Sequence, residues 1–313
     1  MIYDIIGDIH GHADELTLLL AKLGYHKKGG TYSQAGHQSI FVGDFIDRGP
    51  KIRETLTIVR KMVDKGTARA VMGNHEFNAI CYHTRDGRGF LRSHTAKKGK
   101  NRKQHQETIK QMVKPHSKEW RGYLEWFKCL PFFLELDGLR VVHAAWDRDF
   151  IEFVRTRSLR DDAFLRRSAK KRHKEFDAIE MLLKGPEIPL PAGFRDHDKE
   201  GIDRREMRVA WWKPRTLEKH YTYDELAIPG ATKMPKGRVR RKDLAHCPSY
   251  GSREPLVFFG HYWLRAEAPK PLAPNAACVD FSVAKDGGRL VAYTWRGERT
   301  LKPEHFVSVP RIS

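Results

Sequence analysis

Short apolar runs alternate with longer stretches of helical periodicity through the first eighty residues. Residues 2–6, 39–42 and 68–72 predict strands, because each run is brief and apolar. Residues 13–23 and 52–63 each place apolar side chains on one helical face. This alternation of strands and helices is typical of an α/β protein whose helices cover a sheet.

The second half of the chain has more strands and fewer helices in its pattern. Residues 131–136 and 139–142 flank the dipeptide Asp137-Gly138, which predicts a β-hairpin. Further strands are predicted at 256–259, 277–283 and 289–295.

The region between the hairpin and these later strands is mixed in character. It contains a charged helical pattern around 161–183, followed by a stretch rich in proline and glycine. We therefore expect a single domain over residues 1–313 with an insertion around 147–254.

Polar residues follow five of the predicted strands directly. The first three clusters are GDIHGH (residues 7–12), GDFIDRG (43–49) and GNHE (73–76), and two later apolar runs end at His143 and His261. Turn chemistry alone explains any one of these clusters, but not five. Since ligands gather beyond the carboxyl ends of the strands in α/β sheets, we expect the five to converge.

The residue types in these clusters indicate metal binding. They offer carboxylate oxygens, imidazole nitrogens and an amide oxygen, with no thiolate, a set that suits Mn²⁺, Fe or Zn²⁺. One metal that also binds water and substrate needs fewer than six ligands, whereas two metals sharing a carboxylate use them all. The candidate ligands are Asp8, His10, Asp44, Asn74, His143 and His261.

The motifs GDxHG, GDxxDRG and GNHE, followed by two separated histidines, resemble the phosphoprotein phosphatase (PPP) group of calcineurin-like metallophosphoesterases, bacterial type. That group includes protein phosphatases and symmetrical dinucleoside tetraphosphate hydrolases. The resemblance is firm over the first eighty residues and rests afterwards on His143 and His261 alone. It implies a sandwich of two mixed β-sheets flanked by helices.

The resemblance also implies how two divalent metal ions are held, with manganese expected and iron or zinc as alternatives. Asp8 and His10 bind the first metal, Asp44 bridges both, and the later ligands complete the second. A metal-bridged hydroxide then attacks phosphorus. The chain departs from the family where His143 is followed by Ala144-Ala145, since relatives usually carry at least one glycine there.

Three further residues receive catalytic roles by the same analogy. His75 is the general acid, Asp47 orients its ring, and Arg48 has the planar fork that binds phosphate oxygens. Asn74 is expected to contact the substrate as well as a metal. Glu76 caps the next helix or supports a metal ligand.

Members of the group generally supply a second arginine to the phosphate. The candidates are Arg148, Arg155 and Arg208, and we prefer Arg208 because the adjoining Trp211-Trp212 pair suggests a pocket wall. Asp280 is open to two interpretations, either supporting His261 or ending a strand.

The chain is strongly basic, with a formal net charge of +19 over 313 residues. That balance favours anionic partners such as a phosphoprotein, a nucleotide or nucleic acid. Basic residues concentrate at 85–118, 166–174 and 236–242, which are either a rim that attracts substrate or solvated surface. No nucleic-acid-binding signature accompanies them, so nucleic acid is a minor alternative.

Composition narrows the setting. Hydrophobic residues make up 40% of the chain, yet no apolar run approaches the roughly 18 residues of a membrane span. The four cysteines are widely spaced and suggest neither a zinc site nor a redox motif. We expect a cytoplasmic protein with no membrane partner.

Taken together, the sequence predicts a phosphatase that hydrolyses phosphomonoesters, with phosphoserine and phosphothreonine as candidate substrates. The alternatives are symmetrical dinucleoside tetraphosphate hydrolysis and removal of phosphate from nucleic-acid ends. The motifs do not separate them, because they encode the metals and not the substrate. A binding module without activity is disfavoured, since every catalytic position that aligns is intact.

Overall fold

Two mixed β-sheets form the centre of the chain in a computed structural model. The residues described are 1–95, 99–191, 193–194, 196–197, 203–216, 218–229, 234–265 and 268–312. Within them, no helix is both long enough and apolar enough to cross a bilayer.

The strands, in chain order, are β1 (Ile2–Ile6), β2 (His26–Lys28), β3 (Thr31–Ser33), β4 (His37–Phe41), β5 (Ala68–Ala70), β6 (Arg85–Asp86), β7 (Gly89–Phe90), β8 (Phe133–Leu136), β9 (Leu139–Val142), β10 (Glu187–Pro189), β11 (Asp196–His197), β12 (Asp203–Arg204), β13 (Glu206–Arg208), β14 (Leu256–Phe259), β15 (Ala276–Cys278), β16 (Asp280–Phe281), β17 (Arg289–Trp295) and β18 (Phe306–Pro310). The α-helices are α1 (Ala13–Lys22), α2 (Ile52–Asp64), α3 (Asn74–His83), α4 (Lys100–Gln104), α5 (Gln106–Thr108), α6 (Ser117–Lys128), α7 (Arg148–Val154), α8 (Asp162–Ser168), α9 (Lys174–Lys184), α10 (Tyr223–Leu226) and α11 (Arg241–Leu244). A π-helical turn covers Ile109–Val113, and a 3-10 turn covers Pro303–His305.

The first sheet has the order β16-β17-β1-β4-β5, with β18 also paired to β17. Strands β1, β4 and β5 run parallel, with Ile5 opposite Ile40 and Phe41 opposite Ala70. β17 lies antiparallel to β1. The parallel strands therefore deliver the loops after β1, β4 and β5 to one edge of the sheet.

The second sheet has the order β15-β14-β9-β8. β8 and β9 form the predicted hairpin, in which Gly138 adopts a positive φ of 86° at the turn. β14 is parallel to β9 and to β15, so His143 and His261 follow neighbouring strand ends.

The two sheets bury a shared apolar layer between them. Ile5 and Ile40 of the first sheet belong to one buried cluster with Val141 and Phe258 of the second. A larger cluster joins strand residues of both sheets, such as Phe41 and Phe259, to the apolar faces of α1, α2, α3 and α6. The predicted sandwich of two mixed sheets flanked by helices is confirmed.

Two predicted elements are divided in the structure. The charged pattern around 161–183 forms two helices, α8 and α9, because the chain turns between them and Arg172 adopts a positive φ of 72°. The predicted strand 277–283 crosses between sheets, since β15 pairs with β14 and β16 pairs with β17. No glycine or proline marks either break.

The predicted insertion contains elements of two kinds. Ile151 and Leu182 belong to the large outer cluster, whereas Ile188, Met207 and Leu226 belong to a small separate cluster. The division of the chain into one domain and an insertion stays a prediction.

Candidate metal centre

Asp8 and His10 lie in the loop that follows β1. His10 Nδ1 donates to the carbonyl of Ile46 at 2.9 Å, which leaves Nε2 with a free lone pair. Asp8 Oδ2 accepts from the backbone N–H of His261 at 3.0 Å. A Cβ at position 260 would lie 2.0 Å from Asp8 Oδ1, so Gly260 is required for this approach.

Asp44 follows β4 and contacts residues of two other loops. Its Oδ1 accepts from the backbone N–H of His75 at 3.0 Å. Glu76, in α3, is bonded to the loop after β4, because its carboxylate accepts from the N–H groups of Asp44 and Phe45 at 2.9 Å each. Glu76 also accepts from Gly73 N at 3.1 Å, at the start of α3. Glu76 therefore caps α3 and also holds the backbone of the candidate ligand Asp44.

Asn74, His143 and His261 form the opposite side of the cluster. His143 Nδ1 donates to the carbonyl of Val42 at 2.7 Å, and its Nε2 lies 3.1 Å from Asn74 Oδ1. His261 Nδ1 lies 2.7 Å from the same oxygen of Asn74. The alanines after His143 are buried and leave the histidine in place. The five strand-end signals therefore meet.

Asp44 belongs to two groups of side chains that could each hold a cation. One group is His10, Asp44 and His75, and the other is Asp44, His143 and His261. Within each group the candidate ligand atoms lie within 4.8 Å of one another. The geometry thus places a single carboxylate between two potential metal positions.

Three buried polar atoms in this cluster have no hydrogen-bond partner among the described residues. They are Asp8 Oδ1, His10 Nε2 and His261 Nε2. Buried polar atoms are normally hydrogen-bonded, and leaving one unmatched costs about 1–3 kcal/mol. Because all three belong to predicted metal ligands, the donor set fits divalent cations.

The electrostatics of the cluster fit the same conclusion. Burial raises the pKa of Asp8, and the nearby carboxylates of Asp280 and Asp44 raise it further. Burial also raises the pKa of Asp44, but the charges of His143 and His75 outweigh it and hold this pKa well below its usual range. Burial lowers the pKa of His10 and of His261, which favours the neutral imidazole, the form that binds a cation.

Unusual backbone conformations concentrate at this centre. Eight non-glycine residues among those described have positive φ, and six of them lie in or beside the cluster. Such conformations cost about 1–3 kcal/mol each and persist where the surrounding structure enforces them. The six residues are His10, Asp44, Asp47, Arg48, His261 and Trp263.

Arg48 lies against an aromatic ring at the rim of the cluster. Its guanidinium carbon is 3.9 Å from the ring centroid of Trp263, and Lys285 Nζ is 4.9 Å from the same centroid. The backbone N–H of Trp263 donates to Asp280 Oδ2 at 2.7 Å. Asp280 therefore holds the Trp263 loop. Sequence reasoning missed Trp263, because its distance from Arg48 along the chain hides the contact.

His75 and Asp47 form a buried pair, as the sequence predicted. His75 Nδ1 lies 2.6 Å from Asp47 Oδ2. Burial raises the pKa of Asp47, but the charge of His105 and the hydrogen bonds from His105 and His75 hold it well below its usual range. His105 was missed in the sequence, because it lies inside the basic segment 85–118 and no motif marks it.

The three candidate second arginines have different surroundings. Arg208 Nη1 donates to the carbonyl of His261 at 3.4 Å, which places it beside the cluster. Arg148 pairs with Glu254, and Arg155 pairs with Glu152 and Glu135. One reason for preferring Arg208 was wrong: Trp211 and Trp212 are 0% and 1% exposed, so they belong to the core and line no open pocket.

A family model described as calcineurin-like phosphoesterase matches residues 1–227. The chain belongs to this family. The family implies a centre of two divalent metal ions, and the described residues include two groups of His and Asp side chains that could each hold one. The resemblance inferred from the three motifs is confirmed at this level.

Curated relatives include two kinds of nucleotide hydrolase. A Vibrio parahaemolyticus protein named bis(5'-nucleosyl)-tetraphosphatase, symmetrical, is 26% identical over 94% of this chain and 96% of its own length. A Bacillus subtilis protein named bis(5'-nucleosyl)-tetraphosphatase PrpE, asymmetrical, is 49% identical over 76 residues, which cover 24% of this chain and 31% of that protein. The chain thus spans about a third of the length of several relatives that carry the second name.

Among solved structures, a protein serine/threonine phosphatase from Saccharomyces cerevisiae matches 99% of this chain and 79% of its own. The two sequences are 14% identical, and the TM-score is 0.47.

Proposed function

We propose that the protein is a dinuclear-metal hydrolase that cleaves dinucleoside tetraphosphates symmetrically. The chemistry rests on the two candidate cation positions that share Asp44. The substrate rests on the relative that is similar over nearly the whole chain and bears that name. Phosphomonoester hydrolysis, the first prediction from the sequence, becomes an outcome of the same test.

Six residues would hold the two metal ions. Asp8, whose Oδ1 is unmatched among the described residues, and His10 would take the first, Asn74, His143 and His261 would take the second, and Asp44 would contribute to both. His75 lies in the first group as well, but we assign it to proton transfer because its Nδ1 is bonded to Asp47. Divalent cations bound there supply an activated water and neutralise charge on the phosphoryl oxygens. The oxygen and nitrogen donors suit manganese, with iron and zinc as alternatives.

His75 donates the proton that the leaving oxygen requires. Its Nδ1 is bonded to Asp47, so Nε2 is the atom that faces the reaction. Asp47 holds the ring in this orientation. Nε2 lies 3.1 Å from Gln104 Nε2, a contact that substrate would replace.

Arg48 and Arg208 are the two arginines that we expect to bind the phosphate chain. Arg48 is held by Trp263 with its planar fork at the rim of the cluster. Arg208 lies beside His261. Two cationic groups beside the cluster suit a polyphosphate chain better than a single phosphoryl group.

The overall charge supports a substrate of this kind. The chain carries a formal net charge of +19, and residues 85–118, which follow the GNHE motif closely in the sequence, contain 11 of its 58 Lys and Arg residues. Such a charge attracts a polyanion and raises the rate at which it reaches the site.

The test is to incubate the Mn²⁺-loaded protein with diadenosine tetraphosphate and separate the products by anion-exchange chromatography. ADP as the sole product is expected, because cleavage at the central bridge gives two equal halves. Formation of ATP and AMP would change the assignment to asymmetrical cleavage. Intact substrate would overturn the proposal, and phosphopeptides and phosphorylated oligonucleotides would be tried next.

Two aspartate variants serve as controls. Asp44→Asn should abolish product formation, since it removes the carboxylate common to both cation positions. Asp64→Asn, on the exposed end of α2, should leave the rate unchanged.

A further inference from the structure

We infer that His105 and Thr108 are positioning residues that lock the Asp47 carboxylate onto His75. This inference rests on the proposed role of His75 as proton donor. It gives a function to part of the basic segment 85–118, which from the sequence was either a rim or solvated surface.

Both oxygens of the Asp47 carboxylate are used. Oδ1 accepts from Thr108 Oγ1 at 2.6 Å and from His105 Nδ1 at 2.8 Å. Oδ2 accepts from His75 Nδ1 at 2.6 Å. One oxygen is therefore fixed by the segment and the other is presented to the catalytic imidazole.

The contact to Thr108 runs in both directions. The backbone N–H of Asp47 donates to Thr108 Oγ1 at 3.1 Å, while the hydroxyl proton goes to the carboxylate. Asp47 and Thr108 are 2% and 0% exposed, so water does not compete for these bonds. The loop and its side chain are thus fixed by one hydroxyl.

His105 is itself held on its far side. Its Nε2 lies 3.2 Å from His83 Nε2, and the rings of Tyr82 and Trp120 lie within 6 Å of its own, at 5.3 and 5.7 Å between centroids. Helix α3 and helix α6 therefore support the imidazole that supports Asp47.

Asp47 needs such support because of its place in the chain. It has a positive φ of 68° and lies in the loop between β4 and α2. A side chain in such a loop has no neighbours on its own element to fix its rotamer. His105 and Thr108 reach it from 58 and 61 residues away.

The test compares two phosphate esters that differ in their need for a proton. A p-nitrophenyl ester has a good leaving group, whereas a phenyl ester has a poor one and depends more on the general acid. Thr108→Val and His105→Ala should lower kcat for the phenyl ester by about 10- to 100-fold and for the nitrophenyl ester by less than about threefold. KM should stay unchanged for both esters.

Conservative variants sharpen the result. His105→Asn keeps a donor at the position of Nδ1, and Thr108→Ser keeps the hydroxyl, so both should recover most of the lost rate. Neither His105→Ala nor Thr108→Val should reduce the rate further when His75→Ala is already present, because the effects of residues that act through one group are not additive. Thr55→Val, at another buried threonine on α2, should leave the ratio of the two rates unchanged.

The failures are distinguishable. Equal losses on both esters in Thr108→Val and His105→Ala, with a lower melting temperature, would mean a structural role and overturn the inference alone. If His75→Ala lowered kcat equally for the phenyl and nitrophenyl esters, His75 would not be the proton donor, and the inference would fall with that role. Hydrolysis of the tetraphosphate would still be judged by its own products.

Discussion

Asp4 lies within β1 and Asp8 lies just after it, and these two buried aspartates differ in their hydrogen bonding. Asp4, in the middle of β1, is 0% exposed and accepts from Tyr25 Oη at 2.9 Å, His37 Nδ1 at 2.8 Å and Thr294 Oγ1 at 2.7 Å. Asp8 is 2% exposed, and its Oδ1 has no hydrogen-bond partner among the described residues.

This difference distinguishes a structural carboxylate, Asp4, from a candidate cation ligand, Asp8. A buried carboxylate with donors on both oxygens stabilises the fold by itself, whereas an unmatched one costs free energy until something positive binds. Asp8 also lies near the carboxylates of Asp280 and Asp44, which raise its pKa. The hydrogen-bond partners distinguish the two residues more sharply than burial does.

The largest effect is expected from Asp8→Asn. This change should lower kcat/KM on the metal-loaded protein by at least about 1000-fold, because a ligand is lost. The metal-free protein should become more stable by about 1 kcal/mol, as functional residues often oppose stability. Turnover and urea unfolding after chelation are the two measurements. Loss of stability in the metal-free variant would contradict the comparison.

Asp4→Ala should show the reverse behaviour. The free energy of unfolding should fall by about 3 kcal/mol, because two buried donors and the partly buried His37 lose their acceptor. Turnover at 20 °C should remain within about twofold of the unmodified protein, since the hydrogen bonds that Asp4 accepts come from residues outside the centre. Asp14→Ala, at an exposed aspartate paired with Lys51, is the control and should change stability by less than about 1 kcal/mol. A large loss of turnover in folded Asp4→Ala protein would remove the distinction.

The convergence of the candidate ligands could be predicted from the sequence, because these residues follow strands. Asp8, Asp44 and Asn74 come after parallel strands whose carboxyl ends meet at one edge, and glycines mark each loop. His143 and His261 follow two neighbouring strands of the other sheet in the same way. Strand order and the sandwich then bring all five together.

The surroundings of the centre could not be predicted in the same way. His105 and Thr108 reach Asp47 only because helices α4 to α6 pack over the loop, a contact set by tertiary structure. The sequence of that segment shows charge and no periodic signal that separates them from their neighbours. The burial of Trp211 and Trp212 was missed for a similar reason, since nothing local shows which side of the chain faces the core.

Glu76 is an intermediate case, because it is matched by backbone donors and yet lies beside Asp44. Burial, followed by the charge of Asp44, raises its pKa to about 7. A raised pKa means that the folded protein holds the proton more tightly, so this stability is present below the usual pKa near 4.5 and is lost as pH rises through about 7. In chelator, the stability advantage of the unmodified protein over Glu76→Gln should therefore be greater at pH 5 than at pH 8.

Metal provides the control for this pH dependence. A cation beside Asp44 offsets the charge that raises the pKa of Glu76. With metal bound, the stability advantage of the unmodified protein over Glu76→Gln should therefore no longer decrease from pH 5 to pH 8. Urea midpoints at pH 5 and pH 8, with and without Mn²⁺, give the answer. If the stability advantage over Glu76→Gln increased with pH in chelator, the pH dependence assigned to Glu76 would be wrong in direction.

Asp280→Asn has the smallest expected effect and tests whether position or hydrogen bonding decides the role of a buried carboxylate. Asp280 is near enough to Asp8 to raise its pKa, yet both of its oxygens accept backbone N–H groups, from Trp263 at 2.7 Å and from Ser282 at 3.0 Å. By hydrogen bonding it belongs with Asp4, so kcat/KM should fall by less than about tenfold and stability by about 1 kcal/mol. The fall should appear mainly in KM, because Asp280 holds the Trp263 loop against Arg48. A loss of kcat/KM as large as that of Asp8→Asn would mean that nearness to the centre matters more than whether the carboxylate oxygens are hydrogen-bonded. The contrast between Asp4 and Asp8 would then reflect only where the two residues lie.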